Sequence, residues 1–325
     1  MQEDFQSIIQ GRPSGRVLAL CLHPALDVTV YTEQGREVGR RCDLGGKAVN
    51  FARMLHALGA DVLLILPGDA AGRTETLLTG CGFDYEIIPT NLSLRENYKY
   101  VDADGSTHEQ NGNAGSIFPQ HLQQLIHRVL HICRTRQISH LALCGSFPQG
   151  VEKGVYKYFT EQANALNISC VTDASGESLS LAVQAKPRLI KPNIDEFCAM
   201  SAQDFSLLKT LPDVQNAIGE VFSANDVPIL CSLDKKGAIY AGPEGTYTVS
   251  GRTVDHVASF AGAGDTMLAS FVYARDLCSL PVEQSLRFAC AAATAKVTLP
   301  ANSLPCAEQI YAEWIQTTIT KKGGA

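Results

Sequence analysis

The chain has 325 residues, 45% of them apolar and 18% charged, and a formal net charge of −6 at pH 7. That length supports one large domain or two ordinary ones, and the composition describes a soluble globular protein with a filled core. Lys and Arg are not clustered, which argues against a nucleic-acid groove or a polybasic membrane patch; an anionic ligand must be met by a few local cations. Eleven cysteines (Cys21, Cys42, Cys81, Cys133, Cys144, Cys170, Cys198, Cys231, Cys278, Cys290 and Cys306) are scattered without a CxxC pair. Most lie in apolar strings, which reads as buried free thiols in a reducing compartment rather than disulfides or zinc ligands. The polar, acid-bearing start is unlike a signal peptide and no apolar run reaches membrane-spanning length, so a cytoplasmic protein is expected.

In chain order, "RVLALC" (16–21), "VLLIL" (62–66), "HLALC" (140–144), "ISCVTD" (168–173), "RLIK" (188–191) and "VPILCS" (227–232) read as buried strands. Helical patterns lie between them near 48–59, 119–135, 152–166, 177–185 and 213–224, and residues 264–318 look almost wholly helical. Strands alternating with helices, each strand continuously apolar, imply an α/β fold with a mostly parallel central sheet covered on both faces. Two segments break the rhythm. Residues 26–43 and 96–110 alternate with period two around the turns "EQG" and "DADG", so they read as antiparallel hairpins inserted into the core. Together they would form one small sheet, either an edge extension or a lid over a cleft. With no repeat, low-complexity tract or linker, residues 1–325 read as a single domain with this insertion.

Several stretches could carry chemistry. "DLGGKAVNFARMLHALG" (43–59) sets Gly45 and Gly46 before an amphipathic helix, with Asn50 on its first turn offering a donor and an acceptor to polyol hydroxyls. A glycine-capped helix start explains it equally well, and it is not a Walker A loop, since Ala48 follows Lys47 and the spacer is missing. In "IKPNIDEF" (190–197), Asn193 and Glu196 have capping-box spacing; alternatively, their oxygens order Mg²⁺ through water. "CGSFPQG" (144–150) follows a strand at the edge where α/β folds bind ligands, and "SLRENYKY" (93–100) brings Arg95 and Lys99. "SFAGAGDTMLAS" (259–270) turns through bare glycines into an apolar helix. The N–H groups of such a turn form an anion cradle, and Asp265 beside it could take a proton from an attacking hydroxyl; a plain N-cap is the other reading.

The order of these pieces resembles the phosphofructokinase B (ribokinase-like) family of sugar kinases over roughly residues 16–318. "GGKAVNFA" is similar to the family's first signature, "GAGDTMLAS" to its second, and "KPNIDEF" to the asparagine–x–x–glutamate motif between them. "LHPALDVTVY", "LRENYKY", "GSFPQG" and "DASGESL" resemble the branch acting on sugars that already bear a phosphate, such as 1-phosphofructokinase, tagatose-6-phosphate kinase and the minor 6-phosphofructokinase. The resemblance implies a ribokinase-like fold with a β-sheet lid, ATP as donor and Mg²⁺ as helper. It implies Asp265 as catalytic base and the amides of Gly262, Ala263 and Gly264 as anion hole. Asp27, Gly46 and Asn50 would bind sugar hydroxyls, while Lys47, Arg95 and, more weakly, Ser146 would meet the substrate's own phosphate. Asn193 and Glu196 would organise Mg²⁺ and the ATP phosphates, Glu196 and Asn193 reaching the metal through water, with Gly264 beside them; Ser232 and Gly237 match a nucleotide turn.

The implied activity is ATP-dependent phosphorylation of a hydroxyl on fructose 1-phosphate, tagatose 6-phosphate or fructose 6-phosphate. The alternatives are a kinase for an unphosphorylated sugar or nucleoside, which Lys47 and Arg95 argue against, and a sugar- or nucleotide-binding homologue without turnover. No nucleic-acid or membrane partner is expected, and exposed lid strands suit a homodimer. The chain departs from the pattern at His23, Ala48, Leu94, Asp234, Phe260 and Ala261.

Overall fold

Alternate residues of the first strand, β1 (Arg16–Leu20), face opposite layers, and this fixes the architecture. Val17 and Ala19 join one hydrophobic core; Leu18 and Leu20 join a second. A strand buried on both faces must lie between two helical layers, and the computed structural model, which describes residues 2–112, 115–203 and 208–323, has that arrangement. Running outward from β1 on one side are β4 (Asp61–Asp69) and β5 (Asp84–Leu92). On the other side come β8 (Ile138–Cys144), β9 (Ser169–Asp173), β10 (Leu189–Ile190) and β11 (Ile229–Ser232), all parallel. Antiparallel β12 (Ala238–Gly242), β13 (Gly245–Ser250) and β14 (Thr318–Lys321) complete a ten-stranded sheet.

One face carries α1 (Gln2–Ile9), α2 (Lys47–Ala57), α9 (Ala263–Val272), α10 (Val282–Val297) and α11 (Ala307–Trp314). The other carries α4 (Pro119–Thr135), α5 (Val155–Ala165), α6 (Gly176–Gln184), α7 (Ile194–Ser201) and α8 (Leu211–Asn225). A short α3 (Arg73–Leu78) follows β4. The six expected strands and the five helices all form. The closing region is less helical than its composition suggests, since residues 298–306 form no helix and residues 318–321 form β14.

The two irregular segments form a separate four-stranded sheet in the order β3 (Arg36–Gly45), β2 (Ala25–Glu33), β6 (Arg95–Asp102), β7 (Thr107–Asn111). The outer pairs are antiparallel hairpins and the central β2–β6 pair is parallel, with Ala25 opposite Arg95 and Asp27 opposite Asn97. Leu26, Val28 and Val30 of β2 extend the first core, which anchors this sheet at the carboxyl edge of the large one. No helix of the described residues is long and apolar enough to cross a membrane.

Candidate active site

The carboxyl ends of β1, β8, β9, β10 and β11 all feed one depression, the position at which open α/β sheets bind ligands. Two charged residues stand at the ends of buried strands there. Asp173 terminates β9 and Lys191 follows β10, and the parallel register carries Lys191 past Thr172, whose carbonyl accepts its N–H at 3.0 Å. The Lys191 ammonium lies 3.1 Å from Asp173 Oδ2, and Lys47, on the first turn of α2, donates to Asp173 Oδ1 at 2.6 Å. Burial alone would push the Asp173 carboxyl up, but the two ammonium groups prevail and hold it below the usual range. Lys47 is likewise held protonated: burial opposes its charge, and the Asp173 carboxylate overcomes that.

Asp265 completes the charged cluster. Gly262 is the N-cap of α9, with φ of 77°, a left-handed conformation that a side chain would strain, and no side chain caps this helix end. Asp265 is therefore no N-cap. It sits in the first turn, buried, and accepts a hydrogen bond from Asn50 Nδ2 at 2.8 Å. Burial first, and then the nearby Asp173 carboxylate, push its carboxyl up to about 6, against the opposing Asn50 bond and the two lysines. The Ala263 N–H donates to the Phe260 carbonyl at 3.2 Å and closes the turn. Of the three amides expected to form an anion hole, it is the one already engaged.

Two cavities meet at this cluster, with Lys47 and Glu196 lining both. The larger, about 520 Å³, runs over Asn193, Glu196, Ser232, Asp234 and Gly237 to the 262–265 turn, with apolar walls from Val254, Val257, Ala293 and Val297. Gly237 has a φ of 90° and its missing Cβ would lie 2.0 Å from the Val249 carbonyl oxygen, so only glycine allows this turn to pack on β13. Asp234, which stands where the resemblance expects glycine, adopts a φ of 50°, a conformation Asp tolerates. Phe260 is 72% exposed at the rim of this cavity.

The smaller cavity, about 140 Å³, is lined by Cys21, His23, Gly46, Arg95, Gly145 and Ser146, besides the two shared residues. Its polar atoms are under-used. Among the described residues Arg95 Nε and His23 Nε2 are buried without a hydrogen-bond partner, and His23 Nδ1 is 2.9 Å from Ser146 Oγ. Burial, reinforced by Arg95, lowers the His23 imidazole to about 4, so it is neutral at physiological pH.

Asn193 and Glu196 form a complete capping box on α7: Glu196 N–H donates to Asn193 Oδ1 at 2.7 Å, and Asn193 N–H to Glu196 Oε2 at 2.9 Å. Capping and ligand binding are compatible here, because Glu196 Oε1 remains free of that box and lies 3.9 Å from Lys47 Nζ. Among the described residues there is no group of three His, Cys, Asp or Glu side chains able to cage a metal. One carboxylate oxygen at a nucleotide-sized cavity fits an ion that keeps its waters and arrives on phosphate, as Mg²⁺ does.

Asp27 lines neither cavity; its Oδ1 accepts from Asn97 Nδ2 at 2.8 Å, and burial raises its carboxyl. Lys47 stands at the boundary rather than wholly within the smaller cavity, where the substrate's phosphate was expected to draw it. The sequence motifs assign Asp173 and Lys191 no role. Their signal is a charge at the carboxyl end of a buried strand.

An α/β fold with a large, mostly parallel sheet and a small second sheet beside a nucleotide-sized cavity defines a ribokinase-like architecture. The description "pfkB family carbohydrate kinase" matches residues 23–308, and the chain belongs to that family of ATP-dependent sugar kinases. It is 27% identical to a 1-phosphofructokinase of Haemophilus influenzae over 70% of this chain and 72% of that one. It is 28% identical to the ATP-dependent 6-phosphofructokinase isozyme 2 of Escherichia coli K12 over 91% and 98%. The crystal structure of phosphofructokinase-2 from Escherichia coli in complex with fructose-6-phosphate superposes with a TM-score of 0.82 at 25% identity, covering 93% of this chain and 99% of that one.

Proposed function

We propose that the protein transfers the γ-phosphoryl group of ATP to a hydroxyl of a phosphorylated ketose: fructose 1-phosphate, tagatose 6-phosphate or fructose 6-phosphate. The observation that carries this reading is the buried, unpartnered Arg95 guanidinium edge in a small cavity that opens onto Asp265's cluster through Lys47. A neutral sugar would give the Arg95 Nε–H no anionic acceptor, Asp27 acting on the guanidinium without bonding that atom, whereas a substrate phosphate supplies one. The related enzymes are named for fructose phosphates, which supports the same class.

In this reading ATP occupies the larger cavity, its phosphates toward Asn193, Glu196 and the 262–264 turn, its base toward Ser232 and Gly237. Glu196 and Asn193 would hold, through water, a Mg²⁺ ion that would supply charge neutralisation when bound with ATP. Asp265 is the base: a carboxyl near 6 is ionised at pH 7 and still basic enough to accept the hydroxyl's proton. Asn50 fixes its orientation through the 2.8 Å bond. The amides of Gly262, Ala263 and Gly264 receive the transferring group at the N-terminus of α9, with Ala263 first releasing the Phe260 carbonyl. Lys47 at the boundary meets charge developing between donor and acceptor, while Arg95 and Ser146 hold the substrate's phosphate. Gly46 borders the sugar in the smaller cavity; Asp27 and Asn50 stand outside both cavities, and for them to take sugar hydroxyls the substrate must reach beyond the cavity walls.

The whole chain acts as one kinase domain, and the four-stranded sheet is its lid. The outer strands β3 and β7 offer free edges, with Val38 of β3 and Tyr31 of β2 exposed, which favours a homodimer through this sheet.

The test is ADP release from Mg-ATP with fructose 1-phosphate, fructose 6-phosphate, tagatose 6-phosphate, fructose, ribose and adenosine. Turnover confined to phosphorylated sugars supports the reading; turnover only with fructose, ribose or adenosine overturns it. Sedimentation of the free protein decides the dimer.

A further inference from the structure

A lysine in the last turn of a helix ordinarily reaches water, where its charge favours the helix dipole at little cost. Lys296, in the last turn of α10, is 2% exposed. Its Nζ donates to the Pro300 carbonyl at 3.1 Å, and a Cβ on Gly262 would sit 3.4 Å from Lys296 Cε and 3.6 Å from Asn50 Nδ2. The same helix end holds the approach to the turn: the N–H groups of Ala258 and Ser259 donate to the Val297 carbonyl at 2.9 and 3.3 Å. Lys296 lines neither cavity, so it stands behind the glycine turn and not in it.

A buried ammonium with one carbonyl partner is poorly compensated unless negative charge lies close by. Among the described residues the charged groups acting on it are Asp265 from α9, which favours its charge, and Lys99 from β6, which opposes it; α2 brings the neutral Asn50 to the same turn, and the 300 turn a carbonyl. With burial as the main cause, the ammonium is lowered to about 8. A phosphoryl group arriving at the 262–264 turn would bring the missing counter-charge to the same place.

We propose that Lys296 is a positioning residue of phosphoryl transfer: a built-in cation, behind Gly262, that holds the anion-binding turn and offsets the charge of the phosphoryl group received there. This rests on the assignment of the 262–265 turn as the transfer site. Lys47 and Lys191 also stand at this site, Lys191 Nζ 3.2 Å from where a Cβ on Gly264 would sit, but both are paired with the Asp173 carboxylate, whereas Lys296 makes no such pair among the described residues.

The test compares Lys296→Met, Lys296→Arg and Lys296→Ala with the wild type, with calorimetry of Mg-ADP alone and of Mg-ADP plus aluminium fluoride, which stands in for the transferring group. This arm needs no sugar, so it decides the role of Lys296 even where the sugar panel fails. The Met variant is expected to bind Mg-ADP as the wild type does and to lose about 10- to 100-fold in the extra affinity conferred by aluminium fluoride, somewhat less than the ~10²–10³ lost with a direct donor. Wild-type affinity for the fluoride complex should weaken above pH 8, and the Arg variant should keep it to higher pH. Ammonium chloride should restore part of the affinity to the Ala variant, and tetramethylammonium chloride should not. Equal loss of ADP and ADP–fluoride binding without ammonium rescue would make Lys296 a structural lysine only and overturn the proposal. Should the Met variant not fold, the Arg variant decides: an alkaline limb identical to the wild type's refutes it.

Discussion

Replacing Asp265 with Asn should remove activity and add stability. The carboxyl is buried and its titration is raised from 3.8 to about 6, so at pH 7 the folded state bears a charge it would rather not hold. A tenfold change in proton affinity is worth ~1.4 kcal/mol, which makes the penalty about 3 kcal/mol. The sign follows from proton binding: a raised carboxyl binds protons more tightly when folded, so its contribution to stability is present at low pH. It is lost as pH rises from the unfolded value through about 6. The amide that Asp265→Asn introduces carries no charge and can still accept from Asn50, so the variant should gain up to about 3 kcal/mol at pH 7. For 325 residues at ~2.1 cal/mol/K each, that is a rise in Tm of about 4 °C. Over the same change, kcat should fall by ~10²–10⁴, the usual worth of a general base, with the affinity for ATP little altered. Calorimetric melts at pH 5 and pH 7, alongside initial rates, measure both effects. Wild-type kcat in Asp265→Asn, or a Tm that drops equally at both pH values, would refute the reasoning.

Wild-type kcat/KM should fall about tenfold per pH unit below about 6, as Asp265 becomes protonated; a flat profile to pH 5 would remove it as the base. Arg95→Gln should raise KM for the phosphorylated sugar by ~10²-fold while leaving KM for ATP within about threefold, since a charge-assisted bond is worth ~1.5–3 kcal/mol. Lys191→Met strips Asp173 of one of its two ammonium partners and should destabilise the fold by ~3–5 kcal/mol, read by denaturant unfolding.

The sequence is legible where local chemistry dictates the structure. The central strands are continuous apolar runs because both faces are buried, so "VLLIL" and "HLALC" announce a parallel sheet unaided. The hairpins at 26–43 and 96–110 are legible for the opposite reason: one face is wet and the sequence alternates. Strands β5 and β14 lie at the sheet's two edges, and β13 next to β14; none of the three stands out from its residues. The runs "DYEIIPTNL", "GTYTVS" and "TITK" mix polar and apolar residues without a period long enough to separate strand from loop. At the site, the GAGD turn and the capping box are visible as motifs. The Lys47–Asp173–Lys191 bridge is not, because it exists only through the β9–β10 register, which brings Asp173 and Lys191 to 3.1 Å. Lys296 lies deeper still: nothing in "AAATAKVTLP" distinguishes a buried lysine from a solvated one at a helix end.

The central claim is that a sugar already bearing a phosphate, held by Arg95, receives a second from ATP. Phosphorus NMR of the reaction mixture tests it most directly, following Mg-ATP with fructose 1-phosphate, fructose 6-phosphate or tagatose 6-phosphate. The account predicts a product with two phosphomonoester signals on one sugar, formed in step with ADP and absent in Asp265→Asn. A single ester appearing on unphosphorylated fructose, ribose or adenosine, with the sugar phosphates untouched, would contradict it.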